Sequence, residues 1–356
     1  MHYRTLGGSG IEVSAYCLGT MNFGFVGNPD HEDCARIIHA ALDHGINFVD
    51  TADMYSAGES ETVVGKALEG RRDEVVLATK FHFQMGEGRN RSGNSRRWIV
   101  QAVEESLRRL RTDWIDLYQV HRPDRSTDLE ETLAALSDLV RAGKIRTYGL
   151  STYPVEDLVE AHHLAERRGL LRPRTEQPPY SLLARGVEAA VLPTCQRLGM
   201  GVLTWSPLAF GFLSGGYRQG RPVDLARGRA AVVPSRFDPS IPGNARKLEA
   251  VERFAGLADE LGCTLPELST AFVTAHPGVT SAIIGPRTLE QLEATLKGAS
   301  LLLDDAAMDR IDEIVPPGVD LYDPNASWPP PAIADAALRR RPLAGRSAAP
   351  SAVPTH

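Results

Sequence analysis

A (β/α)8 barrel is the fold this 356-residue sequence predicts. Three observations predict it. Apolar strand-like runs alternate eight times with segments of helical period, which implies a parallel sheet closed on itself. The length suits one barrel domain with insertions. Three successive runs also end in ionisable residues, Asp50, Lys80 and His121, and the carboxyl ends of strands are where barrels build chemistry. An open doubly wound sheet of about six strands would leave two apolar runs unexplained.

In order, Leu6-Gly-Gly-Ser-Gly-Ile11 lacks a complete dinucleotide fingerprint and reads as the turn of an N-terminal hairpin. The strands are expected at 15–19, 46–50, 74–80, 114–121, 145–151, 175–177, 201–205 and 280–284. Trp98, Val103, Leu107 and Leu110 share a helix face, with Ser95 as N-cap. Leu129, Leu133, Leu136 and Val140 share another, ending near Gly143. Pro154 opens a further helix at its first turn. The last barrel helix falls near 289–298, and a short extra C-terminal helix follows at 304–315. Segments 81–94 and 207–246 are long for barrel connections and belong to the carboxyl face, where long loops carry binding function; with 21–30 they are expected to set substrate specificity. One domain is expected over 1–328. The tail 329–356, with Pro329-Pro-Pro and Arg339-Arg-Arg, is too poor in apolar residues to pack and is expected to be disordered.

Composition excludes several classes. The chain is 42% hydrophobic and 24% charged, an ordinary globular balance. A net charge of −6 argues against nucleic acid or acidic membrane as the main partner. No run approaches membrane-spanning length, and Met1-His-Tyr-Arg-Thr has no apolar leader core, so a cytoplasmic protein is expected. Cys17, Cys34, Cys195 and Cys263 are scattered and suggest reduced thiols, with no metal site. Trp98 and Trp114 read as packing residues, and His162 and His163 as surface or interface histidines.

Neighbouring barrel strands would aim Asp50, Lys80 and His121 into one mouth, with Tyr55 on the loop above. A free tyrosine is a poor acid at neutral pH. A lysine cation beside it favours the phenolate and lowers its pKa, and Asp50 would hold that cation in place. His121 would hydrogen-bond a substrate carbonyl. Each residue alone has a plainer reading: a turn aspartate, a packing tyrosine, a strand-end charge, a core histidine. Their convergence is what points to a site.

Five motifs, Asp50-Thr-Ala-Asp-Met-Tyr55, Ala78-Thr-Lys80, Asp116-Leu-Tyr-Gln-Val-His121, Gly149-Leu-Ser151 and Trp205-Ser-Pro-Leu208, together resemble the aldo-keto reductase superfamily. The resemblance spans about 4–315. It implies an enzyme that reduces aldehydes and ketones to alcohols with NADPH, with Tyr55 as general acid, Lys80 and Asp50 as its pKa-lowering pair and His121 orienting the carbonyl. It also implies the cofactor residues. Gly19, Thr20 and Met21 would lie against the nicotinamide ribose beside Asp50; Ser151 and Gln177 would hold the carboxamide. Trp205 would stack on the ring, and Ser206, Pro207, Leu208, Gly211 and Leu213 would pass over the pyrophosphate. Ile284, Gly285 and Arg287 would form the adenosine 2′-phosphate site, with Gln291 one turn on. The sequence departs from the pattern at Thr152, where asparagine is common, and at Ala294 and Thr295, where glutamate and asparagine are.

Two rival readings carry tests. Lys80 could serve as a Schiff-base lysine in a lyase, although pairing with Asp50 keeps the amine cationic and poorly nucleophilic. Regulatory subunits of potassium channels resemble the same family, and that reading needs an assembly surface. The partner expected first is a small carbonyl compound; monomer and homo-oligomer both stay open. Phe23, Phe25, Phe81, Phe83 and Phe210 suggest a pocket for a hydrophobic one.

Overall fold

The computed structural model describes residues 1–218, 220, 223, 230–231, 233–238, 240–324, 331–343 and 346. They fall into two compact units, Met1–Tyr322 and Asp323–His356. Within the first, β1 (Tyr3–Thr5) and β2 (Glu12–Ser14) pair antiparallel, as the glycine-rich turn between them requires. The eight strands β3 (Tyr16–Gly19), β4 (Phe48–Asp50), β5 (Val76–Phe81), β6 (Ile115–Val120), β7 (Ile145–Leu150), β8 (Thr175–Glu176), β9 (Gly201–Thr204) and β10 (Ser281–Ile284) then close a parallel barrel. Pairing runs in sequence order, and β10 returns to β3.

Helices follow the strands at His31–Asp43, Glu59–Ala67, Arg96–Leu110, Leu129–Arg141, Val155–Arg168, Val191–Leu198 and Leu289–Lys297. Two, Pro242–Glu260 and Leu265–Ala275, lie between β9 and β10, and Asp305–Ile314 is the extra C-terminal helix. Ser95 caps as expected, its hydroxyl accepting from Trp98 N–H. Gly143 takes φ +74° just past Leu129–Arg141, the left-handed geometry that a helix end favours in glycine. Pro154 is the N-cap itself, one position earlier than its expected place in the first turn, because helical geometry begins at Val155. His162 is buried, its Nδ1 3.0 Å from Leu158 O, so it is a core histidine and not a surface one.

Alternation along the strands positions the site. Cys17, Phe48, Ala78, Leu117, Leu203 and Ile283 face the barrel interior with Leu6 and Val13 of the hairpin segment. Val49, Leu77, Phe81, Tyr118 and Val120 face the helices. With a period of two, the inward residues one step beyond Phe48, Ala78 and Leu117 are Asp50, Lys80 and Gln119. The hairpin closes the opposite end. A Cβ on Gly201 would lie 2.8 Å from Gly7 N, so that contact needs glycine. Of the tail, the described residues include a short helix, Pro331–Ala334, and a turn, Ala336–Leu338. Of the tail 329–356 expected to be disordered, 329–330, 344–345 and 347–356 lie outside the described residues.

Candidate active site

Asp50 ends β4, and Lys80 lies one residue before the end of β5; the register sets Asp50 beside Ala78 and Lys80 beside Gln119. Lys80 is fully buried, and its ammonium spends its three protons on Asp50 Oδ2 at 2.5 Å, Thr51 O at 2.7 Å and the Tyr55 hydroxyl at 3.2 Å. The other Asp50 oxygen accepts from Gln177 Nε2 at 3.0 Å and Gln119 Nε2 at 3.2 Å. A buried ion pair stands only when its remaining bonds are made, and here they are. Burial works to lower the Lys80 pKa, but Asp50 and Tyr55 outweigh it and the net shift is upward.

Tyr55 starts a tight turn, Tyr55–Gly58, in which Ser56 and Ala57 take φ of +46° and +53°. Burial raises its pKa; Lys80 pulls the other way without cancelling it. The expectation that the lysine leaves this tyrosine with a lowered pKa therefore fails in sign, because desolvation of the phenolate is the larger effect. His121 follows β6, with its ring edge-on to Tyr55 (centroids 5.9 Å apart) and to Phe83 (4.9 Å). Burial first, then the Lys80 and Arg122 cations, push its pKa well down, so its ring is neutral near pH 7. Its buried Nδ1 has no hydrogen-bond partner.

Around these lie the other expected residues. The Ser151 hydroxyl donates to Gln177 O at 3.0 Å, which leaves its lone pairs as acceptors. Thr152, beside it, takes φ +57°. Trp205 packs edge-on against Phe210. In the following loop Ser206, Ala209, Phe210 and Gly211 take φ of +62°, +48°, +59° and +103°. Such backbone is costly without glycine and concentrates at ligand clamps. Pro207 is buried and Leu208 half-buried, while Leu213 packs into the outer core, as does Ile284. Thr20 turns its hydroxyl to Ser60 Oγ, 2.9 Å away, and not to the mouth. Gly19 faces Ile283 so closely that a Cβ would meet its Cγ2 at 2.5 Å. Met21 is half-buried.

At the far end, Gly285 is exposed, and Arg287 is exposed with no ion pair among the described residues. Arg287 N–H donates to Gln291 Oε1 at 2.9 Å, just before Leu289–Lys297. The Thr295 hydroxyl donates back to Gln291 O and Ala294 has no polar side-chain group, so neither side chain offers a free donor. Phe23 and Phe81 are wholly buried core residues and Phe25 is exposed on its loop, which leaves Phe83 and Phe210 of the five phenylalanines as walls.

Sequence reasoning missed Gln119 and Arg122. Gln119 was open to discovery, since it shares the inward parity of Leu117 and His121. Arg122 had no such signal. Its guanidinium carbon lies 5.8 Å from the centre of the Trp205 ring, with Nε and Nη1 buried and unpartnered.

Trp205's flat ring, the acceptors of Ser151 and Gln177 and the left-handed backbone at Ser206, Ala209, Phe210 and Gly211 are chemically compatible with a nicotinamide dinucleotide. Among the described residues no helix is long and apolar enough to cross a membrane, and no cluster suits a metal ion.

Fold and site together define a class: single-barrel proteins with a buried lysine–aspartate pair under a tyrosine at the carboxyl mouth. The chain belongs to the Aldo/keto reductase family, whose model matches residues 15–316. It is 39% identical over 327 residues to an uncharacterized oxidoreductase, YrpG, of Bacillus subtilis (strain 168), covering 89% of this chain and 96% of that one. It is 34% identical over 322 residues to a probable voltage-gated potassium channel subunit beta of Arabidopsis thaliana, covering 88% and 97%. A putative channel subunit beta of Schizosaccharomyces pombe is 34% identical over 321 residues, covering 88% and 93%.

Proposed function

We propose that this protein reduces aldehydes or ketones to alcohols with NADPH, one hydride and one proton being added across the C=O bond. The observation that carries the reading is the three-way hydrogen bonding of Lys80 to Asp50, Thr51 and Tyr55. Trp205, Ser151, Gln177, the 206–211 backbone and Arg287 would hold NADPH, which when bound supplies the hydride and leaves as NADP+. Tyr55, kept protonated by its burial, gives its proton to the carbonyl oxygen as negative charge develops there. Lys80 then stabilises the phenolate left behind. Asp50, itself anchored by Gln119 and Gln177, keeps that ammonium in place. Neutral His121 donates a ring N–H to the same carbonyl oxygen and sets its angle.

The test is consumption of reduced nicotinamide, read by absorbance, with an aromatic aldehyde and either NADPH or NADH. NADPH-dependent turnover supports the reading, and binding of NADPH without turnover of any carbonyl sinks it. The lyase reading is disfavoured by the 2.5 Å Lys80–Asp50 pair, which keeps the amine protonated; borohydride trapping of a substrate on Lys80 would revive it. The names of the plant and yeast relatives favour a second reading, a cofactor-binding subunit of an assembly. Measurement of particle size with and without NADPH tests it.

A further inference from the structure

Arg122 is the feature the reductase reading leaves without a task. It follows His121 directly, its backbone carbonyl accepts from Asn94 Nδ2 at 3.0 Å, and its side chain lies toward Trp205 across the mouth. Two of its guanidinium nitrogens, Nε and Nη1, are buried with no hydrogen-bond partner, and no ion pair joins it to an acid among the described residues. The residue is only part-buried, and beyond its approach to the Trp205 ring the guanidinium makes no hydrogen bond or ion pair among the described residues, so it keeps donor capacity for an anion. The titratable groups facing it are Tyr55, His82, His121 and Glu176, and burial lowers the His82 pKa so that its ring adds no negative charge. Tyr55 and His121 are neutral near pH 7, as shown above. Glu176 accepts from Tyr153 N–H through Oε1 while its Oε2 is buried with no hydrogen-bond partner, and burial pushes its carboxyl up to about 8, so it supplies little negative charge there.

We propose that Arg122 is a carboxylate-recognition group, and that the preferred substrates of this protein are carbonyl compounds that carry a carboxylate beside an aromatic or apolar body. The proposal rests on the reductase reading and names its substrate class. A planar guanidinium presents paired N–H donors that match the two oxygens of a carboxylate. One cation suits a monoanion, because Lys80 is already saturated by Asp50, Thr51 and Tyr55. Phe83 against His121 and Phe210 against Trp205 give the flat apolar walls for the rest of the molecule. The anion could instead be the cofactor's pyrophosphate, and the experiment separates the two.

The experiment compares 4-carboxybenzaldehyde with its methyl ester, methyl 4-formylbenzoate, on the full chain, Arg122→Gln and Arg122→Lys. The wild type is expected to prefer the carboxylate. Arg122→Gln should lower kcat/KM for the carboxylate roughly 10- to 100-fold, mainly through KM, and by far less for the ester. Arg122→Lys, which keeps the charge but loses the fork, should recover part of the difference. Equal losses on both aldehydes, or no preference in the wild type, would overturn the proposal. A weakened NADPH Kd with the substrate preference intact would also overturn it and assign the arginine to the cofactor. A readout free of catalysis is the rise in Tm with 4-(hydroxymethyl)benzoate, expected for wild type and absent for Arg122→Gln. If neither aldehyde turns over, the reductase reading fails, while that Tm shift still decides whether Arg122 binds carboxylates.

Discussion

The Lys80 ammonium donates to the Tyr55 hydroxyl across 3.2 Å, beneath a ring that the same ammonium approaches to 4.9 Å of its centre. Two opposed effects meet in that bond. The cation favours the phenolate, whereas enclosure in the mouth favours the phenol, and enclosure wins. Tyr55 therefore rests with its proton in place, as the proposed reduction requires.

Removal of the donor should cost most of the chemistry. Tyr55→Phe is expected to lower kcat by roughly 10²- to 10⁴-fold while the NADPH Kd stays within a few-fold. Steady-state rates and fluorescence quenching check the two halves. A variant that keeps a tenth or more of wild-type kcat would show that another group delivers the proton.

The pH profile follows from the sign of the tyrosine shift. Reduction should stay level through neutral pH and decline only above the ordinary tyrosine value of about 10, since the phenol must remain protonated. Lys80→Met removes the group that lowers this pKa and should move the decline to still higher pH. The same variant strands Asp50 in the barrel and should cost about 3–5 kcal/mol of stability. Denaturant unfolding measures the second effect, and a decline shifted toward neutral pH would contradict the first.

Arg287 should discriminate between the two nicotinamide cofactors. Arg287→Leu is expected to weaken NADPH binding roughly 10- to 100-fold and to leave NADH binding unchanged, the loss of one charge-assisted pair with a phosphate. Titration by fluorescence quenching reads both constants. Parallel losses for NADPH and NADH would place the 2′-phosphate elsewhere.

Glu176 should make stability depend on pH in a direction opposite to that of most carboxylates. Burial raises its folded pKa from 4.5 to about 8, so the folded chain holds a proton that the unfolded chain releases between those values. The associated stability is fully present below pH 4.5 and is lost as pH rises through about 8. Glu176→Gln mimics the protonated form, and its Tm advantage over wild type should grow from pH 5 to pH 8.5. A constant difference across that range would show that Glu176 ionises normally.

How far the sequence revealed this arrangement varies with the physics involved. The strand–helix alternation, the hairpin turn and the Ser95 cap were legible because each depends on a few adjacent residues. Asp50, Lys80 and His121 were legible because each closes an apolar run. Gln119 sits inside such a run, where a lone polar residue looks incidental until its parity is counted. The upward shift of Tyr55 was hidden because enclosure depends on how Lys80, Asp50 and the turn Tyr55–Gly58 close around it in three dimensions. Phe23 and Phe81 misled as pocket candidates, since loop and strand-end aromatics face inward or outward according to packing that composition does not carry. Arg122 depends on the separation between β6 and Trp205, a distance no local pattern encodes.

Among the described residues, the hairpin that seats Leu6 under the barrel gives it a floor. A guest that enters beside Trp205 and meets that floor would leave by the same opening. Molecules that share one doorway queue: the deeper guest arrives first and departs last. A large cofactor laid along the floor of that doorway would thus impose an order on turnover through geometry alone, with each product waiting on nothing but its own release while the spent cofactor waits on the product.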